Sequence, residues 1–461
     1  MQKINRDILK LAIPSILANI TVPLVGMVDI AVAGHLDTNA ATMIGGIAIG
    51  SMLFDLLYWN FGFLRVGTGG LAAQAYGRGD RRECARILTR ALGMSLAIAL
   101  VLLAIQWIFV KAAFLVVECT PQVRELASRY FFIRIWAAPA TLGLMALKGW
   151  FIGMQDSVSA MVADVVVNGM NILMSFVLAL GLTVDGTEIF HGMGFAGIAA
   201  GTVTAQWSGL IVSVLIVAFK YRRNTFSLLS SADFREVFKG GETKRFFVMN
   251  ANLFVRSLCF IAIYIGFTVI SARYGDTLLA VFSIMMKLLM IFSYFTDGFA
   301  YAGEALTGRF IGAKDALGLR QTVKWTFVWS MSIALIFMGI YHFAGVPMLR
   351  MMTSDPLVVE ASREYLPWLL LMPLIGCAAF TWDGIYIGAT ASKAIRNSML
   401  WAVVGFAGVW FVGIALLGQI GSETSARYGY IAMHILMGAY FAHLLARTLY
   451  LSARYRKTVH L

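Results

Sequence analysis

Charged residues are scarce in this chain, since Asp, Glu, Lys and Arg make up only 13% of its 461 residues and hydrophobic residues make up 59%. A soluble domain carries about a quarter of its residues as charges, so an ordinary soluble protein is excluded. No hydrophilic stretch is long enough for a separate soluble domain; the longest lies near residues 220–245. Apolar runs that are too long and unbroken for membrane strands predict transmembrane helices instead.

Cysteine and catalytic motifs are scarce as well. The four cysteines are isolated, and no two of them have the spacing of a metal site or a redox motif. Walker A, HExxH and GxSxG motifs are absent, so the sequence indicates no ATP hydrolysis, no certain metal site and no cofactor. An intramembrane transferase remains an alternative from another class, although the six histidines lie mostly at span ends or in the tail.

What the chain does contain is a series of twelve apolar segments, each predicted to be a transmembrane helix. Their bounds are 8–34, 43–74, 88–117, 126–153, 158–182, 193–219, 246–272, 278–310, 322–350, 361–388, 397–420 and 428–450. Basic residues cluster in alternate loops, such as 78–86 and 220–245. This positive-inside pattern predicts cytoplasmic termini in a multi-pass protein of the bacterial inner membrane, and it argues against a nucleic-acid surface despite the net charge of +13.

The two halves of the sequence match at a constant offset of 235 residues. The matched positions include Gly77, Pro121, Tyr130, Gly149 and Gly153 with Gly312, Pro356, Tyr365, Gly384 and Gly388. Six helices separate equivalent positions, so the repeat is parallel, with a pseudo-twofold axis along the membrane normal. We predict an all-α protein with an N-terminal lobe (1–219), a cytoplasmic linker (220–245) and a C-terminal lobe (246–461) that ends in a short basic tail. A cleft between two lobes that rock is typical of a secondary transporter.

An acidic residue stands late in the first span, at Asp29 within Val28-Asp29-Ile30. Ionisable groups at membrane depth are costly and are functional by default. With the N-terminus inside, Asp29 lies in the outer half of the bilayer. Pairing with a cation, or capping of a broken helix, is the structural alternative.

Polar residues in the fifth span fall on one helical stripe. Asp164, Asn168, Asn171 and Ser175 have the spacing i, i+4, i+7, i+11. Thr202 and its neighbour Thr204 return to a similar depth in the sixth span, which predicts a polar pocket with Asp29. For the uncharged side chains, hydrogen bonding that only holds helices together is an equal alternative.

Further acidic residues are candidates for a substrate cavity. They are Asp55, Asp164, Asp297, Glu304 and Asp383. Asp55 could join the pocket near Asp29, and Asp297 or Asp383 could face a site in the C-terminal lobe. Pairing with cations inside the membrane is the other explanation, which we prefer except for Asp297 and Asp383.

Several motifs together resemble a known family. Pro23–Asp29 followed by Gly34-His35-Leu36, then Gly192–Thr202, Asp297–Ala302 and Asp383–Thr390, resemble the multidrug and toxic compound extrusion (MATE) family. The DNA-damage-inducible protein F (DinF) branch of that family is the best fit. The resemblance covers nearly the whole chain.

This resemblance implies a two-lobed antiporter that expels amphipathic, often cationic, compounds while protons or Na⁺ enter. The family's first-helix carboxylate falls on Asp29, its span-5 Asn on Asn171 and its span-6 Thr on Thr202. Some relatives carry a second carboxylate four residues after that Asn, where this chain has Ser175. A single titrating acid favours protons over Na⁺ as the coupling ion.

We expect Asp29 to bind a proton from the periplasm and to lose its bonds to the region of Asn171. The first span would then bend near Pro14 or Pro23, where a backbone hydrogen bond is missing, and expel the substrate. We expect small amphipathic substrates and lipids as partners, and function as a monomer. Flipping of a lipid or lipid-linked precursor is the second transport hypothesis, with Arg65, Lys148 and Arg256 as candidates for binding a head group.

Overall fold

The structure, a computed structural model, describes residues 2–34, 40–117, 119–184, 187–223, 225–228, 237–353, 355–420 and 426–459. In these ranges twelve helical segments are long and apolar enough to cross a membrane, which confirms the predicted number of spans. The His35-Leu36 part of the first-span motif and residues 224 and 229–236 of the predicted linker lie outside the described residues.

Within the described residues, the first six spans contain eight α-helices. They are α1 (Gln2–Gly34), α2 (Ala40–Trp59), α3 (Phe63–Gly77), α4 (Arg81–Val116), α5 (Pro121–Arg134), α6 (Ala138–Gly153), α7 (Ser157–Leu180) and α8 (Phe195–Ile216). A 3₁₀ turn at Ile135–Ala137 joins α5 to α6. An antiparallel hairpin of β1 (Gly181–Val184) and β2 (Thr187–His191) connects α7 to α8, an addition to the all-α fold that the sequence predicts.

The last six spans are single long helices. They are α9 (Gly241–Ala272), α10 (Asp276–Gly312), α11 (Ala316–Met352), α12 (Pro356–Gly388), α13 (Ser392–Ile420) and α14 (Ala426–Thr458). The chain divides into two compact units, one of residues 17–247 and the other of residues 1–16 together with 248–461. Helix α1 therefore contributes its first half to one unit and its second half to the other.

Helix ends follow local signals that recur at the predicted offset. The Asp80 side chain accepts from the backbone N–H of Glu83 at the start of α4, and Asp315 accepts from Gly318 N–H at the start of α11. Such N-caps satisfy backbone donors that the helix leaves unpaired. Proline opens both α5 and α12, where its missing N–H costs nothing.

Equivalent glycines allow equivalent helices to touch in both halves. A Cβ atom at Gly149 would lie 2.1 Å from the Arg65 carbonyl oxygen, and one at Gly384 would lie 2.1 Å from the Ala300 oxygen. Each pair is separated by the same offset, so α3 packs on α6 as the second half of α10 packs on α12. The repeat that the sequence predicts is therefore present in the backbone packing.

The two halves differ in the continuity of their helices. Three residues at 60–62 interrupt the second span, and the 3₁₀ turn interrupts the fourth, whereas the equivalent helices α10 and α12 are unbroken. Interrupted helices in transporters often lie beside the binding site. This difference directs attention to the N-terminal unit.

Helix α7, which carries the predicted polar stripe, is fixed at its start by Asp156. This carboxylate caps Ser159 N–H and receives a hydrogen bond of 2.7 Å from Lys220 Nζ and one of 2.6 Å from the Tyr221 hydroxyl. Burial raises the pKa of Asp156, but these bonds outweigh burial and hold the pKa below its ordinary value. The cap therefore stabilises the fold above the unfolded-state pKa and weakens only as the pH falls into the acid range.

Candidate functional site

A buried chain of hydrogen bonds joins α1, α7 and α8. The Ser175 hydroxyl lies 3.0 Å from Asp29 Oδ1 and 3.4 Å from Asn171 Oδ1. The Asn171 amide donates to Thr202 Oγ1 at 3.0 Å. All four side chains are buried, Asp29 with 6% of its surface exposed. The structure thus brings together the acidic residue of the first span and the predicted polar residues of spans five and six.

Close packing of α7 on α8 makes this chain of bonds geometrically feasible. A Cβ atom at Gly197 would lie 2.2 Å from the Leu178 oxygen, and one at Gly201 would lie 2.7 Å from Ser175 N. Small residues four apart let membrane helices approach to backbone contact. The approach places Thr202, which follows Gly201, within hydrogen-bond distance of Asn171.

The other polar residues of this region have separate partners. The Asn168 amide donates to the Thr21 hydroxyl of α1, so the α7 stripe contacts α1 at two levels. Thr204 instead donates to the Ala200 oxygen within its own helix at 2.9 Å and takes no part in the chain. Asp164 forms an ion pair with Lys148, and both side chains are partly buried.

Helix α1 is a single helix through both of its prolines, Pro14 and Pro23. The boundary between the compact units falls between Ile16 and Leu17, two residues after Pro14. Asp29 lies in the half of α1 that belongs to the N-terminal unit.

One cation near this site was missed by sequence reasoning. Arg134, at the end of α5, lies within electrostatic range of both Asp29 and Asp55 without a direct ion pair to either. Its guanidinium stacks over the Phe54 ring with 4.7 Å between the Cζ atom and the ring centroid. Its position within a span was the available signal, because a membrane-embedded arginine needs a reason. Asp55 itself is not sealed by other protein atoms.

In the C-terminal unit, Asp383 is held by two arginines. Arg256 donates to Asp383 Oδ2 at 2.7 Å, and Arg447 pairs with the same oxygen. Arg447 and Asp383 are almost fully buried. The sequence left Asp383 open as a member of a substrate cavity, but this geometry favours a structural ion pair, since its charge is already compensated.

The remaining candidates lie on α10. Glu304 is fully buried beneath Gly388, where an added Cβ would lie 2.3 Å from the Glu304 carbonyl oxygen. Asp297 is partly buried. Of the three cations considered for a lipid head group, Lys148 and Arg256 are engaged in the ion pairs just described.

Removing the Asp383 carboxylate is expected to destabilise the protein strongly. Asp383→Leu would leave two guanidiniums without their anion, and breaking a buried pair from one side costs about 3–5 kcal/mol. The exposed Arg363–Glu360 pair near the start of α12 provides a comparison, because Glu360→Gln should cost only about 0–1 kcal/mol. Thermal unfolding in detergent measures both. Equal melting temperatures for Asp383→Leu and the unmodified protein would contradict the structural role.

Comparisons with known proteins agree on one family. The sequence profile of the MatE family matches residues 14–177 and again residues 253–416. DNA damage-inducible protein F of Escherichia coli K12 is 34% identical over 399 residues, which cover 86% of this chain and 83% of that protein.

Solved structures give the same fold. A MATE protein crystallised in the bent conformation superposes with a TM-score of 0.80 at 15% identity, covering 99% of this chain and 96% of that one. An outward-facing multidrug resistance MATE transporter of the MOP superfamily gives 0.79 at 17% identity, with the same coverage of both chains.

Proposed function

Because this chain belongs to the MatE family of multidrug efflux transporters, we propose that it is an antiporter that exports amphipathic, often cationic, compounds in exchange for protons. It is a multi-pass membrane protein and not an enzyme. The observation that carries the proposal is the environment of Asp29, a buried acid bonded to a serine hydroxyl. A membrane-embedded acid whose charge is not cancelled by a direct ion pair can change its protonation state during a transport cycle.

The Ser175 hydroxyl supplies a physical link between protonation and structure. It has one hydrogen, which it can donate either to Asp29 or to Asn171. An ionised Asp29 takes that hydrogen in a charge-assisted bond, which ties α1 to α7. A protonated Asp29 no longer attracts it as strongly, and the hydroxyl then donates to Asn171 Oδ1 while its oxygen accepts a hydrogen bond from the protonated carboxyl group of Asp29.

Loss of the charge-assisted bond would free the second half of α1. Proline removes a backbone hydrogen bond from the helix, so bending is easiest at Pro14 or Pro23. Pro14 lies beside the boundary between the compact units, which is where α1 passes from one to the other. In this proposal, proton binding shifts α1, closes the polar pocket and releases the substrate.

Protons are favoured over Na⁺ by the composition of the site. Asp29 is its one acid, and the other members, Asn171, Ser175 and Thr202, supply neutral oxygens. We further propose a bacterial inner-membrane location with both termini cytoplasmic, and a functional monomer that needs no cofactor beyond the coupling ion. The alternating basic loops support the orientation.

Transport driven by imposed gradients tests the proposal. The purified protein in liposomes should move a fluorescent amphipathic cation against its gradient when protons flow the opposite way. An inward Na⁺ gradient at equal pH should give no such movement. Movement under Na⁺ alone would refute proton coupling, and no movement under either gradient would refute antiport.

A further inference from the structure

The guanidinium of Arg134 is only partly used by the protein. It has five N–H donors, and the bonds recorded within the described ranges come from Nη1 alone, to the Tyr130 hydroxyl at 3.2 Å and to Ser51 Oγ at 3.5 Å. The Arg134 side chain is half-buried, and its other nitrogens are not among the sealed polar atoms that lack partners. The unused donors are therefore accessible from outside the protein atoms that surround them.

The stacking of this guanidinium determines which direction remains open. Phe54 covers one face of it, with the Tyr130 ring centroid at 5.6 Å. A guanidinium donates hydrogen bonds in its own plane, along its edges. A ligand must therefore reach Arg134 edge-on, in the geometry that suits the two oxygens of a carboxylate.

The fold itself does not require a charge at this position. At the offset of 235 residues, Arg134 corresponds to Leu369, which is buried in the apolar core of the C-terminal unit, and Asp55 corresponds to Met290. The equivalent contacts of Gly149 with Arg65 and of Gly384 with Ala300 support this alignment. A charge that one half of the repeat replaces with leucine, at a cost in desolvation, is more consistent with ligand binding than with folding.

The neighbouring acidic residues suit a ligand that carries a positive charge in addition to a carboxylate. Arg134 is within electrostatic range of Asp29 and Asp55, and Asp55 is accessible. Positive and negative groups thus border the same region, beside the stacked rings of Phe54 and Phe131, whose centroids are 4.7 Å apart.

We propose that Arg134 is a specificity-determining residue that binds the carboxylate of a zwitterionic amphiphile, while Asp55 and Asp29 attract the cationic group of the same molecule. This inference rests on the proposed transport function, because it names the charge of the transported compound. Arg134 would thereby distinguish such zwitterions from simple cations, which lack a carboxylate.

Two dyes that differ in one carboxylate test this role. Rhodamine B carries a free carboxylate and a delocalised cation, and in its ethyl ester the carboxylate is masked. Binding is measured by fluorescence anisotropy on purified protein in detergent. Arg134→Gln should weaken binding of the acid by about tenfold or more, since hydrogen bonds to charged groups contribute about 1.5–3 kcal/mol. Binding of the ester should not weaken, because the change removes a positive charge near the bound cation and no group that the ester contacts.

Two further variants separate charge, geometry and folding. Arg134→Lys keeps the charge but loses the two-pronged edge, so it should restore part of the affinity for the acid. Arg124→Gln is the matched control, because Arg124 lies on the same helix and stacks over Phe114 at 5.0 Å. It should change neither dye.

The outcomes are distinct from those of the transport test. If Arg134→Gln loses affinity for the acid dye only, the proposal is supported even when no gradient drives transport. Absence of gradient-driven transport would refute antiport but not this binding role. An equal loss for both dyes would show a structural role and overturn the proposal. So would an Arg134→Gln protein that binds the acid as well as the unmodified protein does.

Discussion

Asp29→Asn is expected to reduce proton-driven transport to the level of liposomes without protein. Asparagine has nearly the size of aspartate and still offers an oxygen to Ser175, so the hydrogen bond that is 3.0 Å long in the structure can persist. What disappears is the ability to gain and lose a charge, which in our proposal loosens α1 from α7. The measurement is dye movement in liposomes under an imposed pH gradient.

Two controls assign the loss to coupling and not to folding. The Asp29→Asn protein should melt near the temperature of the unmodified protein and should still bind dye in detergent, although more weakly, because Asp55 remains to attract the cationic group. Ser175→Ala keeps the acid but removes the hydroxyl that links Asp29 to α7, so pH-driven transport should fall while the melting temperature and dye binding stay near those of the unmodified protein. Undiminished pH-driven transport by Asp29→Asn would eliminate Asp29 as the coupling residue, whatever its place in the structure.

Periodicity explains why so much of the fold can be predicted from the sequence. Apolar runs of membrane length predict twelve helices because the bilayer requires every backbone group to bond internally. The polar stripe of α7 follows from helical spacing alone. The neighbours of the stripe can be identified only from the packing of the helices. Gly197 and Gly201 are the one sequence feature that indicates a close approach of α8 to α7.

Features that depend on distant partners could not be predicted in this way. Asp383 meets Arg256 and Arg447 across 127 and 64 residues, and no local pattern specifies such a meeting. The role of Arg134 could not be predicted, because its proximity to Asp29 depends on how α5 packs. The breaks in spans two and four are hard to recognise in the sequence, since Gly62 is one of 44 glycines in the chain. The hairpin of β1 and β2 could not be predicted either, because strands of four and five residues are too short to show a clear alternation.

Forcing α7 and α8 apart should also abolish pH-driven transport. In Gly201→Leu, the Cβ atom alone would lie 2.7 Å from Ser175 N, so one helix must move away from the other. Overpacking of this kind costs about 1–3 kcal/mol or more. The movement would also break the bond of 3.0 Å between Asn171 and Thr202, and pH-driven transport should fall to background.

Gly169→Leu provides the matched control for that variant, because Gly169 lies on α7 with nothing within 4 Å of an added Cβ. It should leave transport and melting temperature nearly unchanged. Thr202→Val then separates packing from polarity, since it removes the hydroxyl without adding bulk next to Ser175. If Thr202→Val transports normally while Gly201→Leu does not, helix spacing matters and the Asn171–Thr202 bond does not. If both fail, the Asn171–Thr202 bond itself belongs to the coupling machinery, because the loss of that bond is what the two variants share.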